Sequence, residues 1–198
     1  MTTPPLILAS QSPRRRQLLT EHGFVHTVDP PHDSVERGIC SHCSPEELVL
    51  EAALLKAAAI AKNHESGLIL AADTVAECRG EILGKPRDRE HAEAMLRRMS
   101  GQRHRVLTGV CLWLCGSNRH SVHLEQSVLH MDRLTDQQLE QFLDSDEWIG
   151  KAGAFGYQDG LDWVHIEDGL ASTVVGLPVE RLPGWIDELL QSAADHPH

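Results

Sequence analysis

Residues 6–19, LILASQSPRRRQLL, constrain the fold more than any other stretch. An apolar run too short for a helix gives way to a small polar turn and then to a Ser-Pro helix start. Ser12 is placed to cap the first turn, Pro13 brings the fixed φ of a first helical position, and Gly23 can end the segment. A strand that hands directly to a helix is the opening of an α/β chain.

The alternation continues. FVHTVDP reads as a strand, and SPEELVLEAALLKAAAIAKNH as a strong helix with Ser44 as cap, Pro45 behind it and early Glu46 and Glu47. GLILAADTVAEC reads as a buried strand that runs into an acidic turn, followed by the short return strand in RGEILGKP. DREHAEAMLRRMSG is an amphipathic helix capped by Asp88. HRVLTGVCLWLC and HSVHLEQSVLHM are two long strands joined by a polar turn, and TDQQLEQFLDS is a helix. GKAGAFGYQ is a glycine-punctuated loop, DWVHIED and ASTVVGLP are strand-like, and a last helix starts in PVERLPGWIDELLQSA. With no repeat, linker or low-complexity tract, the expectation is one α/β domain over 1–198, with two lobes around a cleft. The 198 residues allow one sizeable core.

Charge narrows the function. The chain has 18 Lys+Arg against 29 Asp+Glu, a net charge of -11, which disfavours nucleic acid and anionic membranes as partners. Three arginines at one helix start therefore stand out. Basic residues oppose the helix dipole there, whereas free N–H groups, serine hydroxyls and guanidinium forks suit a phosphate. Locally the segment reads either as an anion site or as a solvated basic turn. No apolar run reaches membrane-spanning length, no export signal is visible, and five cysteines lack a disulfide-framework spacing, so the expected location is the cytoplasm.

Other stretches bear chemistry with open alternatives. Asp73, directly after LILAA, would stand at a strand end as a metal ligand or proton acceptor, or as an ordinary turn aspartate. Lys56 lies in an apolar helix face, so it either snorkels or meets an anion. Lys85 sits in a Gly-Pro turn, as a phosphate contact or a solvated lysine. Lys151 opens the glycine-rich loop, whose glycines permit close backbone approach to a ligand, and is expected to bind substrate; Gln158 at the loop's end can read a base edge through its amide. Cys40 and Cys43 form a single C-x-x-C pair near His32 and His42. Without a second pair this reads as loop cysteines more readily than as a zinc site.

Taken in order, LILASQSPRR, KAAAIA, LAADTV, GKP, SGQRHRVLTGV, KAGAFGYQ and VVGLP resemble the Maf family of nucleoside-triphosphate pyrophosphatases, from residue 6 to about 180. The resemblance implies an inosine-triphosphate-pyrophosphatase-like α/β fold, a long twisted mixed sheet with flanking helices and a cleft. It also implies cleavage between the α- and β-phosphates, a divalent metal (Mg2+ or Mn2+), a homodimer in many members, and house-cleaning of non-standard nucleotides. By that resemblance Ser10, Ser12, Arg14 and Arg15 grip the triphosphate, Asp73 accepts a proton from water near the metal, Glu36 helps to hold the metal with Asp33 as competitor, and Lys56 and Lys85 contact phosphate. Arg14, Thr74 and Gln158 match the branch that prefers dTTP and UTP, whereas Trp, Gln and Glu mark the 7-methyl-GTP branch. The alternative role is a nucleotide-binding regulator of septum formation with little catalysis.

Overall fold

Local sequence explains most of the elements. β1 (Leu6–Leu8) is three buried apolar residues, and α1 (Pro13–Glu21) begins behind the N-cap Ser12. α2 (Pro45–Ala61) opens with a capping box. Ser44 Oγ accepts from the Glu47 N–H at 3.1 Å, and the Glu47 carboxylate accepts from the Ser44 N–H at 2.9 Å. α3 (Arg89–Met99) keeps its expected cap Asp88, and α4 (Asp136–Asp144) is capped by Thr135. The strands are β2 (His26–Val28), β3 (Leu68–Cys78), β4 (Glu81–Leu83), β5 (Arg103–Leu114), β6 (His120–Met131) and β7 (Val164–Asp168), and α5 (Ala171–Val175) and α6 (Leu182–Asp195) close the order. The computed structural model describes residues 4–32, 35, 43–117 and 119–195.

Among the described residues the strands form one mixed sheet in the order β2-β1-β3-β5-β6-β7, with β4 on β3. β1 runs parallel to β2 and β3, while β3 with β4 and β6 with β7 are antiparallel. This is the expected α/β class.

Two sequence readings are corrected. Asp73 does not follow a strand; β3 runs through it to Cys78. The residues beyond it, TVAEC, keep strand propensity, and β4 pairs with Ala76–Cys78 and satisfies their backbone. ASTVVGLP is not a strand, since Ala171–Val175 is the short helix α5. There tertiary contact overrides the β-branched residues: Ser172 and Thr173 are buried, and Ser127 Oγ donates to the Leu170 carbonyl at 2.9 Å.

The chain divides into two compact units, Met1–Asp73, Thr108–Leu124 and Gly176–His198 in the first, Thr74–Leu107 and Glu125–Val175 in the second. In the first unit α2 lays Ala53, Ala57 and Ile60 on Ile7, Ala9, Ile69, Ala71 and Cys111. The approach is close because Gly109 of β5 lies under the helix backbone. A Cβ at Gly109 would sit 2.5 Å from the Val49 carbonyl carbon and 2.8 Å from the Leu50 nitrogen. Small residues on both surfaces therefore set the depth of α2.

In the second unit α3 packs Ala92, Met95, Leu96 and Met99 with Ala76, Val106, Leu129 and Met131, and Phe142 meets Trp163 edge-on at 5.3 Å. Glu77 is a buried acid of this unit. Burial pushes its carboxyl up, but bonds from Arg105 Nε at 2.8 Å and the Gly80 N–H at 2.6 Å outweigh that and hold it below the usual range. His104 is 2% exposed and touches Phe155 edge-on at 5.5 Å, and among the described residues neither ring nitrogen has a hydrogen-bond partner. Burial lowers its pKa to about 4. His130 adds to the shift, and the nearby Gln102 backbone and Glu77 carboxylate oppose it too weakly to cancel it.

Gly109→Ala should lower stability by about 1–3 kcal/mol or more, because the added methyl meets backbone that cannot turn aside; thermal melting checks this. His104 gives a pH signature. Unfolded, the ring binds a proton near 6.5, and folded only near 4, so the stability present above pH 6.5 is lost as pH falls toward 4, by on the order of 3 kcal/mol. His104→Gln should flatten the fall in melting temperature across that window relative to wild type.

Candidate functional site

The parallel register of β1 on β3 brings the two ends of the candidate site together. Leu8 pairs with Leu70, and the Ala9 N–H donates to the Leu70 carbonyl at 2.8 Å. The chain leaves β1 at Ser10 while β3 continues next to it to Asp73, on strands about 5 Å apart. The basic loop and the strand that carries the carboxylate therefore diverge from adjacent, paired strands within the first unit.

The loop is knit by its own side chains. Ser10, 6% exposed, accepts at Oγ from the Ser12 N–H and from Arg15 Nη1, each at 3.2 Å. Ser12 Oγ accepts from the Arg15 N–H at 3.5 Å as the N-cap of α1. Arg15 Nε donates to the Gly176 carbonyl at 2.7 Å. Arg15 is thus held at both ends of its guanidinium, so its charge has a fixed place. Arg14 next to it is half-buried, and Arg16 is exposed. α1 has no acidic residue in its first turn. Its N–H dipoles and the arginines point the same sign of potential toward whatever occupies the loop, an arrangement that favours an anion.

Lys56 faces inward from α2, with its side chain 9% exposed, and Nζ donates to Asp73 Oδ1 at 2.6 Å. The anion that the buried lysine needs is thus the strand carboxylate of its own chain. Asp73 is 21% exposed at its side chain, enough for water to reach it. Two smaller features flank this region: the Asp29 N–H donates to the Leu8 carbonyl at 3.1 Å, and Asp29 Oδ2 pairs with His64 Nε2 at 2.7 Å.

The remaining candidates lie in the second unit. Thr74 follows Asp73 along β3 and is half-buried. Lys85 is exposed in the loop after β4. Residues 150–160 form two short 3-10 turns, Ala152–Ala154 and Tyr157–Asp159. The Gly153 N–H donates to the Gly84 carbonyl at 3.0 Å, which ties this segment to the loop that carries Lys85. Gln158 is exposed, and Lys151 forms an ion pair with Asp159. Asp159 was missed from the sequence; its one signal there is an acid just past a glycine-rich turn that begins with a lysine.

The structure gathers Ser10, Ser12, Arg15, Lys56 and Asp73 in one unit, and links the segments of Lys85, Lys151 and Gln158 in the other. Glu36 and Asp33, expected at the metal, lie outside the described residues, as do Cys40 and His42; Cys43 is half-buried and not in a disulfide. Chemically, the first unit offers a cationic loop for an oxyanion beside a carboxylate of fixed orientation.

Comparison with known proteins supplies the context. A family model described as Maf-like protein matches residues 5–189. A Rhodopirellula baltica protein named dTTP/UTP pyrophosphatase is 52% identical over 189 residues, 95% of this chain and 83% of its own length. A Salinibacter ruber protein of the same name is 40% identical over 182 residues, 90% of this chain and 87% of its own. The solved structure of the Staphylococcus aureus Ham1 protein matches 64% of this chain and 71% of its own with a TM-score of 0.45 and 16% identity.

Proposed function

We propose that this chain, which belongs to the Maf family, hydrolyses dTTP and UTP to the nucleoside monophosphate and pyrophosphate. The observation that carries the reading is Asp73, fixed by buried Lys56 at 2.6 Å on a strand that pairs in parallel with the strand leading into the arginine loop. Its substrate class is supported by the names of relatives 52% and 40% identical to it and by the trio Arg14, Thr74 and Gln158.

The chemistry follows from charge. Phosphate oxygens repel an incoming nucleophile, so positive groups have to surround them before attack. Loop N–H groups, the Ser10 and Ser12 side chains, Arg14 and the doubly anchored Arg15 bind the triphosphate, and Lys85 adds a point charge on the leaving side. Lys56 occupies Asp73 Oδ1 and fixes the plane of the carboxylate, so Oδ2 is the oxygen that takes a proton from water as it attacks the α-phosphorus. Gln158 can both donate to and accept from the edge of a pyrimidine.

A divalent cation, Mg2+ or Mn2+, fits this donor set. Hard cations take one or two carboxylates and complete their shell with phosphate oxygens and water. Asp73 is such a carboxylate, with Glu36 as its partner in this reading. Among the described residues no group of three His, Cys, Asp or Glu side chains is gathered for a metal, so substrate oxygens would supply much of the shell. When bound, the cation neutralises charge on the phosphates.

A cytoplasmic location and a homodimer belong to the same reading. Among the described residues no helix is long and apolar enough to cross a membrane.

Wild type should release pyrophosphate from dTTP and UTP in the presence of magnesium. Asp73→Asn should lower kcat by about 10²–10⁴-fold with little change in KM; unchanged turnover would remove Asp73 from the chemistry. Release of inorganic phosphate in place of pyrophosphate would place the cut at another bond.

A further inference from the structure

The Lys151–Asp159 pair joins the two ends of the glycine-rich segment. Lys151 Nζ meets Asp159 Oδ2, with the side chains 14% and 22% exposed. Between them lies Gly156, over which the pair crosses. A Cβ at Gly156 would stand 2.9 Å from both Asp159 Cγ and Lys151 Nζ. The backbone is folded to the same end: the Ala154 N–H donates to the Lys151 carbonyl, and the Asp159 N–H donates to the Gly156 carbonyl, each at 3.1 Å. Lys151 is therefore already matched by a carboxylate within its own loop, and Asp159 directly follows Gln158 in the chain.

We propose that Asp159 and Lys151 act as a pair of positioning residues that hold Gln158 for base selection, and that Lys151 is not a phosphate ligand. This rests on the reading of the chain as a pyrimidine nucleoside triphosphate pyrophosphatase and adds to it the device that sets the base preference. The argument is geometric. Residues 152–158 carry two tight turns between the charged partners, so fixing Lys151 to Asp159 fixes the path between them and the direction in which Gln158 leaves it. Without the pair, Gln158 samples more backbone positions, and its amide is no longer preorganised for one edge. The phosphates, held elsewhere, are bound as before.

The test is steady-state kinetics with dTTP, UTP, CTP and GTP on wild type, Asp159→Asn, Lys151→Met, the double variant and Lys151→Arg. Asp159→Asn and Lys151→Met should each raise KM for dTTP and UTP about tenfold, leave kcat within about twofold, and narrow the preference over CTP and GTP. The double variant should be no worse than either single change, as expected for residues that act as one unit, and Lys151→Arg should keep most of the preference. The proposal is overturned if the base preference is unchanged in Asp159→Asn, or if Lys151→Met lowers kcat/KM equally for all four nucleotides, which is the behaviour of a phosphate ligand. Should Asp159→Asn not fold, the Lys151→Met and Lys151→Arg profiles decide by the same criteria. If wild type hydrolyses none of the four, the assigned activity fails by itself, and the pair is then judged by thermal shift with the same nucleotides. A base preference that Asp159→Asn flattens supports it; an identical profile, or no binding by wild type, overturns it.

Discussion

The first unit is organised around one buried charge, the ammonium of Lys56. A lysine held inside without a partner would cost several kcal/mol, so its position on α2 is tolerable only if a carboxylate stands opposite. Asp73 of the neighbouring strand supplies one at 2.6 Å. The helix must also lie low enough for the reach to be short. Gly109 and the alanines of α2 permit this. Packing and electrostatics thus converge on one side chain, and the same pairing that settles the lysine fixes the carboxylate that faces water.

Much of the architecture was legible in the sequence because its signals are local. The Ser-Pro start of α1, the Ser44 start of α2 and the Asp88 cap each rest on residues within four positions of one another, and all of them form. Where long-range contacts decide, local reading failed. ASTVV has strand propensity but lies in a helix, because Ser127 of β6 holds the Leu170 carbonyl at its start. Asp73 resembles a strand terminator, yet β4 returns to pair with the residues after it and extends the strand.

The candidate site was legible in residue type and less so in arrangement. A lysine in an apolar helix face announces that an anion is near, but nothing local says that the anion is Asp73, seventeen positions away. Arg15 reads as one of three similar arginines; its contacts with Ser10 and Gly176 distinguish it from exposed Arg16. Lys151 reads as a substrate contact until Asp159 is seen across Gly156. In each case the sequence supplied the charge, and the fold chose its partner.

The tie from Arg15 to the Gly176 carbonyl joins positions 161 apart in the chain. Protein synthesis is vectorial, so the opening loop emerges from the ribosome long before its acceptor is made. Closing so wide a span carries an entropy cost that local helix formation does not. A nascent chain that has not reached residue 176 therefore carries its three arginines without that anchor.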